Sequence, residues 1–480
     1  MPKIWLAAFL TVFATAAVAQ PPTQDGAAQL AASLHAWTDQ LLGPAAPDLP
    51  VQATVEGDHY RVTVPLVAIR TKSGEPALTA AAQEKPDGSW QISDVQVPAQ
   101  FALGGPGGET QVSIGHQQTS GIADPSLRTP STIRSDVMDL HTSAIGPAQT
   151  SEQQIQHVQL NASLRAARDG LLDLTEESIV DGWQSGTIDP AGLAAGTGVR
   201  HGRAELTLQG ITPDRVAPAV QALTALAFAL PPPSIPGQPS GTRPEMTPEL
   251  RDALGHLVIA ASGLARAFRM NESLDGVQLE LAGIGRAAAE HSSIGMGGES
   301  AGGLLRAWFE LGMDGLVVPG LPAGMASLVP KRISFRPSIS GVPVGALEKL
   351  LTEATGQNRP DVITSDIDAL FSQGSLTAGI EALSFAIGPA EFAGAGSLLL
   401  LSATEHEGQA RLTATGFDAL IQESQGDPSL GQMTPVLVLA RGLAKREGDH
   451  LVWTINATRD GSVMVNGMDF SSLMGAGRTP

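Results

Sequence analysis

The chain has 480 residues, 42% hydrophobic and 16% charged, with a formal net charge of −19 and no cysteine. That length allows two or three cores' worth of structure. The acidic balance excludes nucleic acid as a partner and disfavours binding to anionic headgroups by surface charge alone, and the missing thiols exclude disulfides, thiol catalysis and cysteine-ligated metals.

The first residues, "MPKIWLAAFLTVFATAAVAQ", place Lys3 before an apolar stretch from Ile4 to Phe13 and end in Ala17-Val18-Ala19. A basic start, a short apolar run and a small-x-small site are the parts of a cleavable signal peptide. Residues 1–19 are therefore expected to direct export, leaving a periplasmic chain with no transmembrane anchor. Next, Leu30, Leu34, Trp37, Leu41 and Leu42 recur near a 3.6-residue period, which predicts an amphipathic helix closed by Gly43-Pro44. From Val51 the period drops to two, predicting a hairpin at Gly57-Asp58 and another at Asp87-Gly88. Residues 20–103 thus read as a helix on a small antiparallel sheet.

Gly104 to Gly108 marks a break, and 104–480 reads as the main α+β region. Ser/Thr/Gln-rich strands such as Gln153 to Leu160 come first, with a hairpin at Asp169-Gly170. Three irregular strand-helix-helix-strand units follow, at about 203–283, 331–388 and 409–467, too unevenly spaced for a solenoid. In the first, Thr247-Pro248 starts a helix whose face carries Leu250, Leu254, Leu257, Ala261, Leu264 and Phe268. The second unit's second helix is expected over Asp366 to Phe371, and Pro231 to Pro244 reads as a solvated linker.

One two-part phrase occurs at both ends. "EGDHYRVTV" at Glu56 and "EGDHLVWTI" at Glu447 are each followed by an Asp-Gly-Ser turn, at Asp87 and at Asp460. Asp-Gly accepts the positive φ of a tight hairpin at little cost, so the phrase reads as turn grammar. The same dipeptide predicts turns at Asp275-Gly276 and Asp314-Gly315.

"GGESAGG" matches the G-x-S-x-G nucleophile elbow at Ser300, with His406 and His450 downstream as bases. An elbow needs a buried strand before the serine and a helix after it. The preceding "AAEHSSIGMG" is polar and "LLRAWFELGMDGLVV" alternates, so a glycine-rich hairpin loop is the expected structure. Histidines lack metal-ligand spacing, His59 and His450 flank turns, and "GGPGGE" lacks the Lys-Ser/Thr of a phosphate loop. No metal or cofactor is expected.

"GSLLLLSA" and "LVVPGLP" are apolar at consecutive positions. Strands lining a groove that takes acyl chains would look like this, and so would strands buried between helices and a second sheet. The segments "PKRISFRPSISGVPVGALEKLL" and "LVWTINATRDGSVMVNG" resemble uncharacterised exported proteins of Gram-negative bacteria, distantly AsmA-like, over roughly the last 280 residues by the span of the repeats. The resemblance implies extended curved sheets and lipid handling or envelope assembly. AsmA-like proteins keep an N-terminal anchor, whereas this chain begins with a cleavable-looking signal.

The expected fold is α+β: extended antiparallel sheets, able to curve, with helical hairpins on one face. The leading functional expectation is a soluble, non-enzymatic periplasmic protein that binds lipid, another hydrophobic ligand or an envelope protein. A secreted serine hydrolase using Ser300 and a purely structural interaction protein are the alternatives.

Overall fold

The leucine spacing near the N-terminus does form a helix. In the computed structural model α1 spans Gln24–Leu42 and buries Ala27, Leu30, Leu34 and Thr38. The structure describes residues 21–470 apart from 43–49, 66–68, 71–76, 106–107, 125–128, 147–148, 189–193, 230–246, 262, 282–284, 322–325, 357–368, 372–373, 403, 427–430 and 432. The expected signal peptide, the proline-rich linker and the first half of the Asp366 to Phe371 helix lie outside the described residues; of the rest, Ala369 and Leu370 are helical. Among those described, antiparallel strand dominates and six helices accompany it. Contacts divide the chain into two units: Met1–Phe268 with Glu280–Gly283, and Arg269–Leu279 with Ile284–Pro480.

In the first unit, α1 packs on β1 (Gln52–Glu56), β2 (His59–Pro65), β4 (Ala77–Glu84) and β5 (Trp90–Gln96), with the short β3 (Ile69–Arg70) between β2 and β4 in sequence. Their inward residues, Tyr60, Val62, Val64, Leu78, Ala80, Trp90 and Ile92, form one cluster with Leu30 and Leu34. Each large side chain buried there contributes about 1.5–3 kcal/mol. Thr23 N donates to the Tyr60 hydroxyl at 3.2 Å, tying the start of α1 to β2.

Beyond this cluster, β6 (Gln100–Gly105) and β5 share one edge of β7 (Gly108–Asp124). The glycines at 104, 105 and 108 close β6 and open β7. On the other edge, β8 (Thr129–Gly146), β9 (Gln149–Ala166), β10 (Leu172–Ile188) and β11 (Ala194–Ile211) follow as a meander. These strands hold 17 or 18 residues each. At about 3.3 Å per residue they far exceed the usual strand. Helices α2 (Pro213–Ala229) and α3 (Pro248–Ala261) come next, and Leu250 N donates to the capping Thr247 Oγ1 at 3.2 Å.

The helix face predicted to run to Leu264 and Phe268 stops sooner. Gly263 adopts φ +69° just beyond α3, and Phe268 lies in β12 (Ala267–Leu281). A left-handed glycine ends a helix by turning its last carbonyls back on the chain.

The second unit is a meander of β13 (Gly285–Ala301), β14 (Leu304–Asp314), β15 (Arg332–Pro343), β16 (Leu376–Ile387), β17 (Ala390–Leu400), β18 (His406–Thr415) and β20 (His450–Ala457). Short strands β19 (Lys445–Glu447) and β21 (Val463–Val465) flank β20, and β22 (Met468–Asp469) pairs with β21. Helix α4 (Val344–Gly356) follows β15, while α5 (Phe417–Gly426) and α6 (Thr434–Leu443) lie between β18 and β19.

Both copies of the two-part phrase build the same two turns. Glu56 pairs with His59 and Glu447 with His450 across two-residue loops, with Gly57 at φ +65° and Gly448 at φ +66°. In the second turn, Lys85 N donates to Ser89 O at 2.7 Å and Thr458 N to Ser462 O at 3.1 Å. Asp87 accepts from Ser89 N and Asp460 from Ser462 N.

Two predicted Asp-Gly turns are strands instead. Gly276 has φ +63° inside β12 and bends a continuous strand. At Asp314-Gly315 the ladders run on: Gly315 N donates to Lys331 O at 2.8 Å, and Ala288 pairs with Val317 in the register of His291 with Asp314. A left-handed glycine whose neighbours keep their partners in unchanged register bends a strand without reversing it. The predicted glycine-rich loop at "GGESAGG" is likewise strand, and only Gly302-Gly303 turn.

Candidate functional site

Two features stand out, one in each unit. In β7 to β11 the inward residues do not simply alternate. Inward positions in β8 are Ile133, Ser135 and Val137, and the next is Leu140; in β9 Ile155 is followed by Val158, and in β11 Val199 by Gly202. Every strand skips one residue at the same level, with no change in register. Asp139 at φ +52° and Gly182 at φ +61° supply the extra backbone rotation in β8 and β10. Opposite Asp139, β7 has Gly115, where an added Cβ would lie 2.8 Å from the Asp139 Cβ.

The skip leaves two consecutive residues of each strand facing outward. One row reads His116, Met138, His157, Asp181, His201, each paired with the next. His157 Nε2 lies 3.2 Å from Asp136, its Nδ1 3.2 Å from Asp181, and His201 Nδ1 2.6 Å from the other Asp181 oxygen. Burial opposes charge on His157, but the hydrogen bonds to Asp136 and Asp181 outweigh it and raise its pKa. Asp181 is held below the usual carboxylate range, first by the His201 hydrogen bond and, after some opposition from burial, by His157. Among the described residues, no group of three or more His, Asp or Glu is arranged to hold a metal ion.

The second feature is the apolar face of the β13 to β20 sheet. Three rows of paired residues cross it. One runs Ile294, Leu311, Phe335, Leu383, Gly394, Leu412, Trp453; the next contains Met296 with Phe309, then Pro337, Ile380, Gly396, Ala410, Ile455. The third contains Ala307, Ile339, Ala378, Leu398 and Gly408. A bulge at Glu381 keeps Ile380 and Leu383 on this face.

At one end α5 and α6 cover the face, burying Ala414, Phe417, Leu451 and Trp453 among Phe392, Leu412, Ile421, Leu437 and Ala440. Phe385 stacks on Phe392 at 4.4 Å, Phe392 meets Phe417 edge-on, and Phe417 meets Trp453. Trp453 Nε1 donates to Ala440 O at 2.8 Å, and Asn466 Nδ2 donates to Leu443 O and Val452 O, both at 2.8 Å. Away from the helices Phe309, Ile339 and Ile380 are each 37% exposed. The opposite face is polar: Glu381 pairs with Arg306 and Arg336, and Arg336 lies 4.5 Å over the Trp308 ring.

Ser300 lies in β13 opposite Leu305, and the chain turns through Gly302-Gly303 directly into β14. The strand-turn-helix of a nucleophile elbow is not built there. His406 begins β18, and His59 and His450 sit beside Asp58 and Asp449 at the two hairpin turns. None of these is brought to Ser300 by a hydrogen bond among the described residues. No described helix is long and apolar enough to cross a membrane.

No family model, curated protein or solved structure matches this chain. Sequence reasoning singled out neither the His-Asp row nor the apolar rows. The signal for the row was available: histidine or aspartate stands where alternation breaks in β8, β9, β10 and β11.

Proposed function

We propose that this is an exported, non-enzymatic protein of the periplasm that binds the acyl part of a lipid on the apolar face of its second unit. One observation carries the reading. The apolar rows continue across the sheet past the end of the helical cover, leaving Phe309, Ile339 and Ile380 partly in water. Exposed large apolar side chains on one continuous surface mark a place something else covers. Gly394, Gly396 and Gly408 interrupt the rows and lower the surface between the bulky residues. A shallow apolar surface on strands whose other face is polar suits a long, thin, unbranched ligand better than a compact polar one. The helical hairpin over one end and the distant AsmA-like resemblance, with its implied curved sheets, belong to the same proposal.

The test is native mass spectrometry with lipid extraction on protein purified from the cell envelope. Stoichiometric lipid is expected on the wild type, and Phe309→Glu with Ile380→Glu is expected to remove most of it while leaving the circular dichroism spectrum intact. A lipid-free wild type, or unchanged lipid on the double variant, would overturn the reading.

A further inference from the structure

One member of the outward row in the first unit is neither His nor Asp. Met138 is 43% exposed, with His116 paired to it on β7 and His157 paired to it on β9. A single exposed methionine is ordinary on a protein surface. What sets Met138 apart is an imidazole on each side, in one register, on three adjacent strands. His116 is exposed and, among the described residues, makes no hydrogen bond or ion pair.

Directly paired residues hold their Cβ atoms about 4.5–5.5 Å apart, which puts ~10 Å between those of the two histidines. Two imidazoles reaching inward cover that span around one metal ion, with metal–nitrogen bonds of about 2 Å. The flexible thioether between them supplies the third donor. His157 is already held for this role. Its Nδ1 lies 3.2 Å from Asp181 and its Nε2 3.2 Å from Asp136. A carboxylate on one ring nitrogen is the usual support of a metal-bound imidazole, whose other nitrogen takes the metal. Asp181 is that support, and the metal replaces the proton that Nε2 shares with Asp136. Asp136 remains beside it as a counter-charge, and its Oδ1 is buried without a hydrogen-bond partner.

The donor set selects the ion. Calcium and magnesium require oxygen ligands, and imidazole alone accepts several transition metals, but a thioether favours soft Cu(I). Among the described residues, no three His, Asp or Glu are arranged for a harder ion, and the chain has no thiol to compete. We infer that His116, Met138 and His157 form a site for Cu(I) on the outward face of β7 to β9. The site belongs to the first unit and does not depend on the lipid-binding reading of the second.

The test is titration of the full chain with Cu(I), kept reduced by ascorbate, against the chromophoric chelator bicinchoninate. One Cu(I) per chain is expected. Met138→Leu, which keeps the apolar volume, and His116→Gln, at an exposed side chain, should each weaken binding at least about tenfold. Met433→Leu, at a methionine 44% exposed in the second unit, should change nothing. In protein labelled with ¹³C at the methionine methyls, the first equivalent of Cu(I) should move the resonance that Met138→Leu deletes. Asp181→Asn should weaken binding about tenfold to a hundredfold while that same resonance still moves. No retention of Cu(I) against the chelator, or equal affinity in the wild type and Met138→Leu, would overturn the proposal. Binding of Zn(II) without binding of Cu(I) would also overturn it, by assigning the row to imidazole and carboxylate donors.

Discussion

Two lines of directly paired side chains cross the sheets of this protein. The apolar rows from β13 to β20 keep every inward residue apolar or glycine by inserting a bulge at Glu381 where alternation would slip. The row from β7 to β11 makes the opposite choice: the strands let alternation slip by one residue together and fill the outward gap with His and Asp, apart from Met138. A bulge changes the count on one strand and protects the face. A skip made at the same level in every strand, with a left-handed residue in β8 and β10, keeps the count and gives up the alternation. The first leaves a continuous surface for apolar contact, whereas the second leaves a ladder of titratable groups.

The largest effect should come from breaking the covered end of the apolar rows. Trp453→Ala removes a buried ring that meets Phe417 and donates to Ala440 O. It should cost about 3–5 kcal/mol, read as a shift in the denaturant midpoint of the second unit. A change below about 1 kcal/mol would mean that α5 and α6 are not held by this surface, since large-to-small core changes rarely cost so little.

A smaller effect should come from the paired hairpin turns, which offer an internal control. Gly57→Ala and Gly448→Ala each force a Cβ into the left-handed region at nearly the same φ. Nothing crowds either position, so the cost is conformational, about 1–2 kcal/mol at each site. Equal losses would show that the repeated phrase specifies a turn and nothing more. A loss confined to one copy would mean that its turn carries a further contact.

That phrase also shows how much of the molecule can be read in its sequence. Glycine followed by Asp, or Asp by glycine, marked five hairpins correctly, because both strands beside them change direction. The same pair misled at Gly276 and Gly315, where the neighbouring strands hold the chain straight and glycine only relieves a bend. Helix positions were legible from leucine spacing, and α3 was overextended because Leu264 and Phe268 continue the period past Gly263. Gly-Glu-Ser-Ala-Gly was legible as a motif lacking its context. The apolar rows were not legible. Ile380, Gly396, Ala410 and Ile455 are ordinary strand residues until pairing places them side by side, and pairing between strands of different units of sequence leaves no local mark. The slipped alternation was written locally, in "SDVMDLHT" and its neighbours, yet a period-two reading passes over a single skip.

The finest effect should separate the two lines by pH. In the first unit, His157 gains Asp136 and Asp181 on folding and its pKa is raised. Its contribution is therefore fully present below the ordinary histidine value of about 6.5 and is lost as pH rises through the raised value. Asp181 is shifted down, so its contribution is present above the ordinary aspartate value of about 3.9 and is lost as pH falls through the depressed one. The row should stabilise the sheet most between roughly pH 4 and 6.5, by no more than about 1 kcal/mol, because partly exposed pairs are screened. His157→Gln should accordingly lower the urea midpoint at pH 5.5 and much less at pH 8.5. The cost of Trp453→Ala, which removes no titratable group, should be the same at both. If His157→Gln costs as much at pH 8.5 as at pH 5.5, the row holds the sheet by neutral hydrogen bonding and packing. The two lines would then differ in polarity but not in their response to protons.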